Sequence, residues 1–362
     1  MTSIYIIRHA EAEGNLYRIA QGQANSILTD RGWRQVAALA RRFENVHIDA
    51  VYSSDLYRTC ATASAIYRPK QLPLHRCPGL REICVGVWEQ KTWGEIAREE
   101  PKQLEYFTHQ LHLWHAEGAE TPAQVRDRVL AAVKKIAAEN DGRTVAVFSH
   151  GCAIRILLAT LQGIPIEELG KTPHGDNTAV SLLRGDGEKL EVVYRDDNSH
   201  LLDPAYTHGE PISRHANALE PGLYFEPLRL PQQRELLDRA LAESGTAPGR
   251  ADQPALVGYL LNGRPVGLVR FDPDREVECG KGWADLFWIE EASRRRGYGT
   301  QLLGQAVMYY RHLGRDHLRT AGPADLPLFV RRGFTPVKDG ENILEKNIGY
   351  DPEFLGDTAH TV

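Results

Sequence analysis

Short apolar runs alternate with segments of helical periodicity from about residue 3 to residue 200, and this alternation restricts the possible folds more than any other feature of the chain. Runs of this kind are typical of strands buried on both faces of a parallel sheet, and they lie at Ile4–Ile7, Ala50–Tyr52 and Val145–Phe148. Between them, apolar residues recur at helical spacing over residues 30–43, 122–139 and 152–161. The alternation predicts a three-layer α/β/α domain with a mostly parallel sheet.

The alternation stops at residues 201–222, which contain three prolines, two glycines and no period. This composition is typical of a linker or a long wrapping loop. A chain of 362 residues is also long for one compact core, so we expect two domains. The predicted organisation is a first domain at 1–202, a linker at 203–221, a second domain at 222–350 and a tail at 351–362.

A different order of elements follows the linker and predicts an α+β domain. Two apolar runs are separated by Asn262-Gly263, a dipeptide that favours a tight β-hairpin turn. We predict strands at 256–261, 266–271 and 283–289, and helices at 230–241, 299–312 and 325–332.

Composition and charge exclude several classes of protein. The net charge of −5 argues against a nucleic-acid-binding protein, which needs a basic surface. No apolar run is long enough to span a bilayer, and the N-terminus lacks the pattern of a secretion signal. The five cysteines are scattered and odd in number, which favours free thiols in a reducing compartment. We therefore predict a cytoplasmic protein without membrane or nucleic-acid partners.

Cationic side chains follow three of the predicted strands of the first domain. Arg8 and His9 come directly after the first strand, His150 follows a later one, and Arg58 opens the helix after the strand at residue 50. Ligands of open α/β sheets bind beyond the carboxyl ends of the strands, so these four side chains should converge. Because guanidinium groups match phosphate oxygens, the convergence predicts a site for a phosphate dianion.

Six segments in order resemble the histidine phosphatase superfamily, the phosphoglycerate mutase-like proteins, over roughly residues 1–202. The opening motif reads RHAEAEGN, with Ala10 in place of the usual glycine. The other segments that are similar to the family are QGQANSILTDRG, SSDLYRTCATA, LREICVGVWE, FSHG and NTAVSLL.

The resemblance implies specific roles for eight residues. His9 would be the nucleophile that forms a phosphohistidine, and Glu82 would protonate the leaving group and then activate water. Arg8, Arg58 and His150 would hold the oxygens of the transferring phosphoryl group. The remaining residues would bind substrate: Asn15, Gln21 and Gly22.

The segment REICVGVWEQKTWGEI is short, as in the phosphatase branch of the family, whereas mutases carry a longer insertion. We therefore expect a phosphatase that acts on a small phosphorylated metabolite, with a cofactor-dependent phosphoglycerate-type mutase as the alternative. Residues 85–125 hold several aromatic residues, which fit an aromatic cap over the substrate and ordinary helix packing equally well. Three histidines at 109, 112 and 115 lack a carboxylate or cysteine at ligand spacing, so we assign no metal.

The second domain contains a glycine-rich loop, RRRGYG, between a predicted strand and a predicted helix. Backbone N–H groups at such a helix start favour a pyrophosphate. With the hairpin before it and DLPLFVRRGF after it, the loop resembles the GNAT family of N-acetyltransferases over about residues 222–348. The resemblance implies an acetyl-CoA cofactor and a small amine acceptor. The cofactor-binding residues would be Ile289, Arg294, Arg295, Arg296, Gly297, Tyr298, Gly299 and Thr300.

One position departs from the GNAT pattern. Many enzymes of that family carry a tyrosine in the last helix that protonates the departing thiolate, and the matching residue is Phe329, which has no proton to give. Two hypotheses stay open: a phosphatase fused to an active acetyltransferase, or a phosphatase regulated by a degenerate domain that senses CoA. Glu290 or Glu291 could deprotonate an amine, although solvated carboxylates are the simpler interpretation.

Overall fold

The structure, a computed structural model of the chain, describes residues 1–202, 222–250, 252–322, 326–337 and 342–355. The predicted linker at 203–221 and the residues of the predicted tail from 356 onward lie outside these ranges. Among the described residues, we find no helix with both the length and the apolar character needed to cross a membrane.

The first sheet is mixed and mostly parallel. Its strands are β1 (Thr2–Arg8), β2 (Ala50–Ser53), β3 (Leu74–Arg76), β4 (Thr144–Ser149), β5 (Val180–Gly185) and β6 (Leu190–Asp197). Their order in the sheet is β3-β2-β4-β1-β5-β6. β3, β2, β4 and β1 run parallel, and β5 pairs antiparallel with both β1 and β6.

Helices cover both faces of this sheet. They are α1 (Glu13–Tyr17), α2 (Asp30–Arg42), α3 (Tyr57–Lys70), α4 (Trp93–Glu99), α5 (Pro101–His109), α6 (Pro122–Glu139) and α7 (Gly151–Leu161). Alternate residues of β1 point to opposite faces: Ile6 packs in the cluster with α6 and α7, and Ile7 packs with α2 and α3. The arrangement confirms the predicted three-layer α/β/α fold.

Strand register brings the predicted site together. Arg8 at the end of β1 is paired with Ser149 at the end of β4, and Ser53 at the end of β2 is paired with Phe148. Because these strands are parallel and adjacent, the residues that follow them, His9, Ser54 and His150, meet at one edge of the sheet.

The second sheet confirms the predicted α+β domain. Its strands are β7 (Tyr224–Pro227), β8 (Ala255–Tyr259), β9 (Pro265–Phe271), β10 (Lys281–Ile289), β11 (His317–Ala321), β12 (Thr335–Pro336) and β13 (Ile343–Asn347), in the order β12-β13-β11-β10-β9-β8-β7. Helix α8 (Arg234–Ser244) packs on one face and α9 (Tyr298–His312) on the other, and α10 (Leu326–Val330) follows β11.

Two central strands of this sheet diverge. β10 and β11 run parallel, but they pair only over Lys281–Trp283, while β10 continues to Ile289 alongside β9. Beyond Trp283, β10 is no longer paired with β11, and the loop before α9 follows the end of this stretch of β10.

The two domains are in contact. The side chain of Tyr17 on α1 is buried against Gly304 of α9, where a Cβ atom would come within 2.5 Å of it. The short 3-10 helix Pro352–Phe354 returns to the first domain, and Phe354 is buried in the cluster formed by α2 and α3. Residues 351–355, which we predicted as a tail, are thus packed on the first domain.

Candidate active site

His9 is held as a neutral imidazole with one nitrogen available for attack. Its Nδ1 lies 2.7 Å from the carbonyl oxygen of Ala10. Because a carbonyl only accepts, Nδ1 carries the proton and Nε2 keeps its lone pair. Burial, followed by the charges of Arg58 and Arg8, lowers the pKa of His9 well below its usual value. The residue therefore stays neutral, as a nitrogen nucleophile must.

His150 lies opposite His9, with 5.3 Å between the ring centroids. Its side chain is buried, and its Nε2 is 2.9 Å from Oγ of Ser54. Ser54 Oγ also accepts the N–H of Leu56 at 3.3 Å, so the serine hydroxyl can donate to His150 Nε2. That donation places the ring proton of His150 on Nδ1. Burial and the charge of Arg58 lower the pKa of His150, so this ring too is neutral.

Arg8 and Arg58 supply the positive charge of the site. Nη1 of Arg8 donates to the carbonyl of Gly175 at 2.5 Å. Nη1 and Nη2 of Arg58 donate to the carbonyls of Ala24 and Gly22, at 2.9 and 2.7 Å. Burial lowers the pKa of Arg58 to about 10, which still leaves the guanidinium charged at neutral pH.

Three nitrogens of these side chains are buried without a hydrogen-bond partner in the described part of the protein: Arg8 Nε, Arg58 Nε and His150 Nδ1. An unsatisfied buried donor costs about 1–3 kcal/mol. Three such donors beside one imidazole are therefore suited to an anion with several oxygens.

Glu82 is positioned at the start of α7. Its Oε2 accepts the N–H of Cys152 at 3.1 Å, and its Oε1 accepts the N–H of Ala153 at 2.9 Å. Since His150 directly precedes this helix, the carboxylate lies beside the second imidazole. The structure thus brings all five predicted catalytic residues into one site.

The predicted substrate-binding residues lie on α1 and in the loop that follows it. Asn15 Oδ1 accepts the N–H of Ala12 at 3.1 Å and so caps α1. Gln21 packs on Gly14, and its Oε1 is buried without a partner among the described residues. Gly22 binds Arg58 through its carbonyl. The substrate contacts predicted for these three residues stay predictions.

Two further residues that the sequence did not reveal organise the site. Glu89 accepts the N–H groups of Gln23 and Ala24, both at 2.8 Å, and so fixes the loop that binds Arg58. Arg128 on α6 donates to the carbonyls of Arg81 and Glu82, at 2.6 and 2.8 Å, and so fixes the chain at Glu82. Both residues act through contacts with segments that are distant in sequence. The spacing of residues along the chain does not indicate such contacts.

The aromatic residues between 85 and 125 form a packed cluster. Trp88 and Trp114 are buried in the core, and Phe107 contacts both rings at centroid distances of 5.7 and 4.9 Å. Of the two interpretations left open by the sequence, the structure supports ordinary helix packing for these three. In the described residues, no group of three or more potential ligands has a metal-binding arrangement.

The glycine-rich loop of the second domain lies at the N-terminus of α9. Gly297, the residue before the helix, has a φ of +82°. A Cβ on Gly299 would come within 2.9 Å of Leu328. The Nε of Arg294 donates to the carbonyl of Ile289 at 3.0 Å, which ties the loop to β10.

The other predicted residues of this loop surround the same helix start. Arg295 and Arg296 are exposed, Tyr298 is half-buried, and Thr300 is buried in the first turn. The loop thus combines exposed cations, a helix start and a close approach of backbone to its surroundings, which fits an anionic group such as a pyrophosphate.

Phe329 is fully buried and contacts Phe287 and Phe334, each at a centroid distance of 5.1 Å. Glu290 pairs with Arg264 at 3.1 Å and accepts from Ser293. Because Glu290 is engaged in an ion pair, it is less suited than a free carboxylate to deprotonate an amine.

Comparison with known families decides the assignment. Residues 4–198, more than half of the chain, match the family model described as "Histidine phosphatase superfamily (branch 1)". The chain belongs to the histidine phosphatase superfamily. Residues 222–334 match the model described as "Acetyltransferase (GNAT) family", so a GNAT domain follows the histidine phosphatase domain.

Individual relatives of the histidine phosphatase domain differ in their assigned activity. Phosphoserine phosphatase 1 of Hydrogenobacter thermophilus is 27% identical over 56% of this chain and 95% of its own length. "Probable phosphoglycerate mutase GpmB" of Proteus mirabilis is 32% identical over 46% of this chain and 77% of its own length. Among solved structures, YhfR of Bacillus stearothermophilus is 32% identical, with a TM-score of 0.54, over 55% of this chain and 99% of that one.

Proposed function

We propose that the histidine phosphatase domain hydrolyses a small phosphomonoester through a phosphohistidine on His9. The observation that carries this proposal is the set of three buried, unsatisfied donors on Arg8, Arg58 and His150 beside a neutral imidazole. A phosphoryl group has oxygens for all three donors and a phosphorus atom for His9 Nε2.

The proposed reaction has two steps. In the first, His9 Nε2 forms a bond to phosphorus while the bond to the ester oxygen breaks, and Glu82 gives its proton to that oxygen. In the second, Glu82 takes a proton from water, the resulting hydroxide attacks phosphorus, and the bond to His9 breaks to release phosphate. Arg8, Arg58 and His150 hold the oxygens through both steps, where removal of one donor costs about 10²–10³ in rate.

A phosphoglycerate-type mutase is the second candidate, favoured by the relative "Probable phosphoglycerate mutase GpmB". Phosphatase is our first choice because the segment after Glu82 is short and because the phosphoserine phosphatase is matched over 95% of its length. The two reactions differ in the fate of the phosphoryl group, which passes to water in one and to another hydroxyl in the other.

The experiment compares wild type with His9→Ala on p-nitrophenyl phosphate and a set of phosphomonoesters in EDTA. We expect hydrolysis in the wild type and a loss of several orders of magnitude in the variant, while His47→Ala, a change at a largely exposed histidine, retains activity. Phosphorus NMR with 3-phosphoglycerate and its bisphosphorylated form distinguishes the candidates. Isomerisation without release of phosphate would identify a mutase.

We also propose that the GNAT domain transfers an acetyl group from acetyl-CoA to a small amine. The loop Arg294–Thr300 would hold the pyrophosphate, and the stretch of β10 beyond Trp283 that is not paired with β11 would bind the chain that bears the thioester. When bound, acetyl-CoA supplies an activated acetyl group. Because Phe329 has no proton to donate, the CoA thiolate would leave with a proton from water or from another group.

Acetyl transfer to a panel of amines, measured beside binding of CoA, tests this second activity. Transfer to any amine supports the acetyltransferase. Binding of CoA without transfer would support the alternative of a CoA sensor, and no binding would contradict both.

A further inference from the structure

The loop Gly22–Asn25 binds the guanidinium of Arg58. Its carbonyls at Gly22 and Ala24 accept both terminal nitrogens of the guanidinium, at 2.7 and 2.9 Å. These two bonds leave Nε of Arg58 as the buried donor without a partner in the described chain. The direction of that donor therefore depends on where the loop lies.

Two contacts within the first domain fix this loop. Glu89 accepts N–H groups of the loop, as described above. Asn25 Oδ1 accepts the N–H of Tyr57, the residue directly before Arg58, at 3.0 Å. The loop and the first turn of α3 are therefore fastened to each other at Asn25.

The polypeptide of the second domain also holds this loop. The hydroxyl of Tyr350 donates to the carbonyl of Asn25 at 3.0 Å, across 325 positions of sequence. The ring of Tyr350 also packs on Tyr57 with 5.4 Å between centroids. Tyr350 thus contacts both of the segments that set the position of Arg58.

Tyr350 is fixed in turn by the last turn of α9, the helix whose first turn carries the glycine-rich loop. The guanidinium of Arg311 lies over the ring of Tyr350 at 4.9 Å, and its Nε donates to the carbonyl of Ile348 at 2.8 Å. The same guanidinium binds Glu13 on α1 at 2.9 Å. Arg311 therefore locks the turn at residues 348–350 against the first domain.

We infer that Tyr350 is a positioning residue for the phosphatase site: its hydroxyl holds the Gly22–Asn25 loop so that Arg58 points at the phosphoryl group. This inference rests on the proposed phosphatase function and extends it, because it makes the second domain a structural part of the first active site. Burial raises the pKa of Tyr350, so the hydroxyl keeps the proton that it donates.

The test is Tyr350→Phe in the full chain. The substitution keeps the ring on Tyr57 and under Arg311 and removes only the hydroxyl. We expect kcat/KM for p-nitrophenyl phosphate to fall about three- to tenfold, the effect of one hydrogen bond. Because Arg58 binds the phosphoryl group in substrate and transition state alike, KM should rise, and inhibition by orthovanadate should weaken by a similar factor.

The matched control is Tyr67→Phe. The hydroxyl of Tyr67 donates to Glu353 at 2.9 Å, so it joins the same C-terminal segment to the first domain without touching the loop. We expect this variant to retain the wild-type KM and vanadate inhibition.

Equal KM and vanadate inhibition in wild type and Tyr350→Phe would overturn the inference, and so would equal losses in the two tyrosine variants. A wild type without phosphatase activity would instead refute the proposed function, so the two failures are distinguishable. A thermal melt of each variant distinguishes a loss of stability from a loss of positioning. A hydroxyl that only stabilises the fold would, when removed, lower the melting temperature and leave KM unchanged.

Discussion

At the scale of the residue, the site depends on which ring nitrogen carries each proton. The backbone carbonyl of Ala10 fixes the tautomer of His9, because it accepts a hydrogen bond from Nδ1. A side chain, the hydroxyl of Ser54, fixes the tautomer of His150 through its hydrogen bond to Nε2. The two histidines therefore differ in how easily a single substitution can disturb them, since no side-chain change removes the Ala10 carbonyl.

Ser54→Ala should lower kcat/KM for p-nitrophenyl phosphate by about three- to tenfold, because it removes the hydrogen bond that keeps the proton on His150 Nδ1. Nitrogen NMR of the imidazoles should show a changed tautomer for this ring. Ser53→Ala is the control: Ser53 is equally buried, but its hydroxyl donates to a backbone carbonyl at 2.7 Å. Equal rates for the two variants would contradict the role of Ser54.

The buried histidine His200 makes stability depend on pH. His200 accepts from Arg42 and donates to Thr178, at 3.2 and 3.0 Å. Burial, and then the charge of Arg42, lowers its pKa to about 4. Between pH 6.5 and 4, His200 is protonated in the unfolded chain but stays neutral in the folded chain. The free energy of unfolding therefore falls as the pH drops from 6.5 toward 4.

His200→Gln should make that fall shallower by on the order of 3 kcal/mol between pH 6.5 and 4. Glutamine does not titrate, while the other buried histidines contribute equally in both proteins. Urea unfolding at several pH values measures the difference, and unfolding at pH 8 gives the structural cost of the substitution separately. Parallel curves of unfolding free energy against pH would contradict the lowered pKa. They would show that His200 is protonated in the folded state as readily as in the unfolded chain.

At the scale of the element, the glycine-rich loop before α9 depends on a backbone conformation that favours glycine. Gly297 has a φ of +82°, and a Cβ there would meet no atom within 4 Å. Gly263 in the β8–β9 hairpin has the same φ and equally open space. The two positions carry similar conformational strain when substituted, but only one lies at the start of α9.

Gly297→Ala and Gly263→Ala should therefore each destabilise the fold by about 1 kcal/mol. Only Gly297→Ala should also weaken CoA binding, because it disturbs the N–H groups at the helix start. Calorimetric titration with CoA, beside a thermal melt, measures both effects. Loss of affinity in both variants would point to stability as the cause and would remove the loop from the binding site.

Elements and strand ends were predictable because they depend on local pattern. The strand ends predicted four site residues, Arg8, His9, Arg58 and His150, and the resemblance added Glu82. The supporting groups were not predictable. Glu89, Arg128 and Tyr350 act through contacts whose partners no periodicity identifies. The same holds for residues 351–355, whose packing on the first domain depends on where the second domain lies.

At the scale of the whole molecule, one interface contains two ion pairs of different character. Glu13 and Arg311 join α1 to α9 at 2.9 Å, with exposed side-chain fractions of 4% and 18%. Arg98 and Glu226 join α4 to β7 at 2.5 Å, with fractions of 48% and 30%. Because solvent screens exposed charges, the first pair should couple the domains far more strongly than the second.

A double-mutant cycle on each pair tests this difference. Glu13→Gln or Arg311→Met alone should cost about 3–5 kcal/mol, since each leaves a buried charge without its partner, and the double variant should cost much less than the sum. The cycle with Arg98→Met and Glu226→Gln should give a coupling of about 0–1 kcal/mol. Urea unfolding measures these free energies. In the single variants of the buried pair, we expect the unfolding transition to separate into two, because each domain keeps its own sheet and core when the contact between them weakens. Additive costs at Glu13 and Arg311 would show that the domains are held by apolar packing around Tyr17 instead.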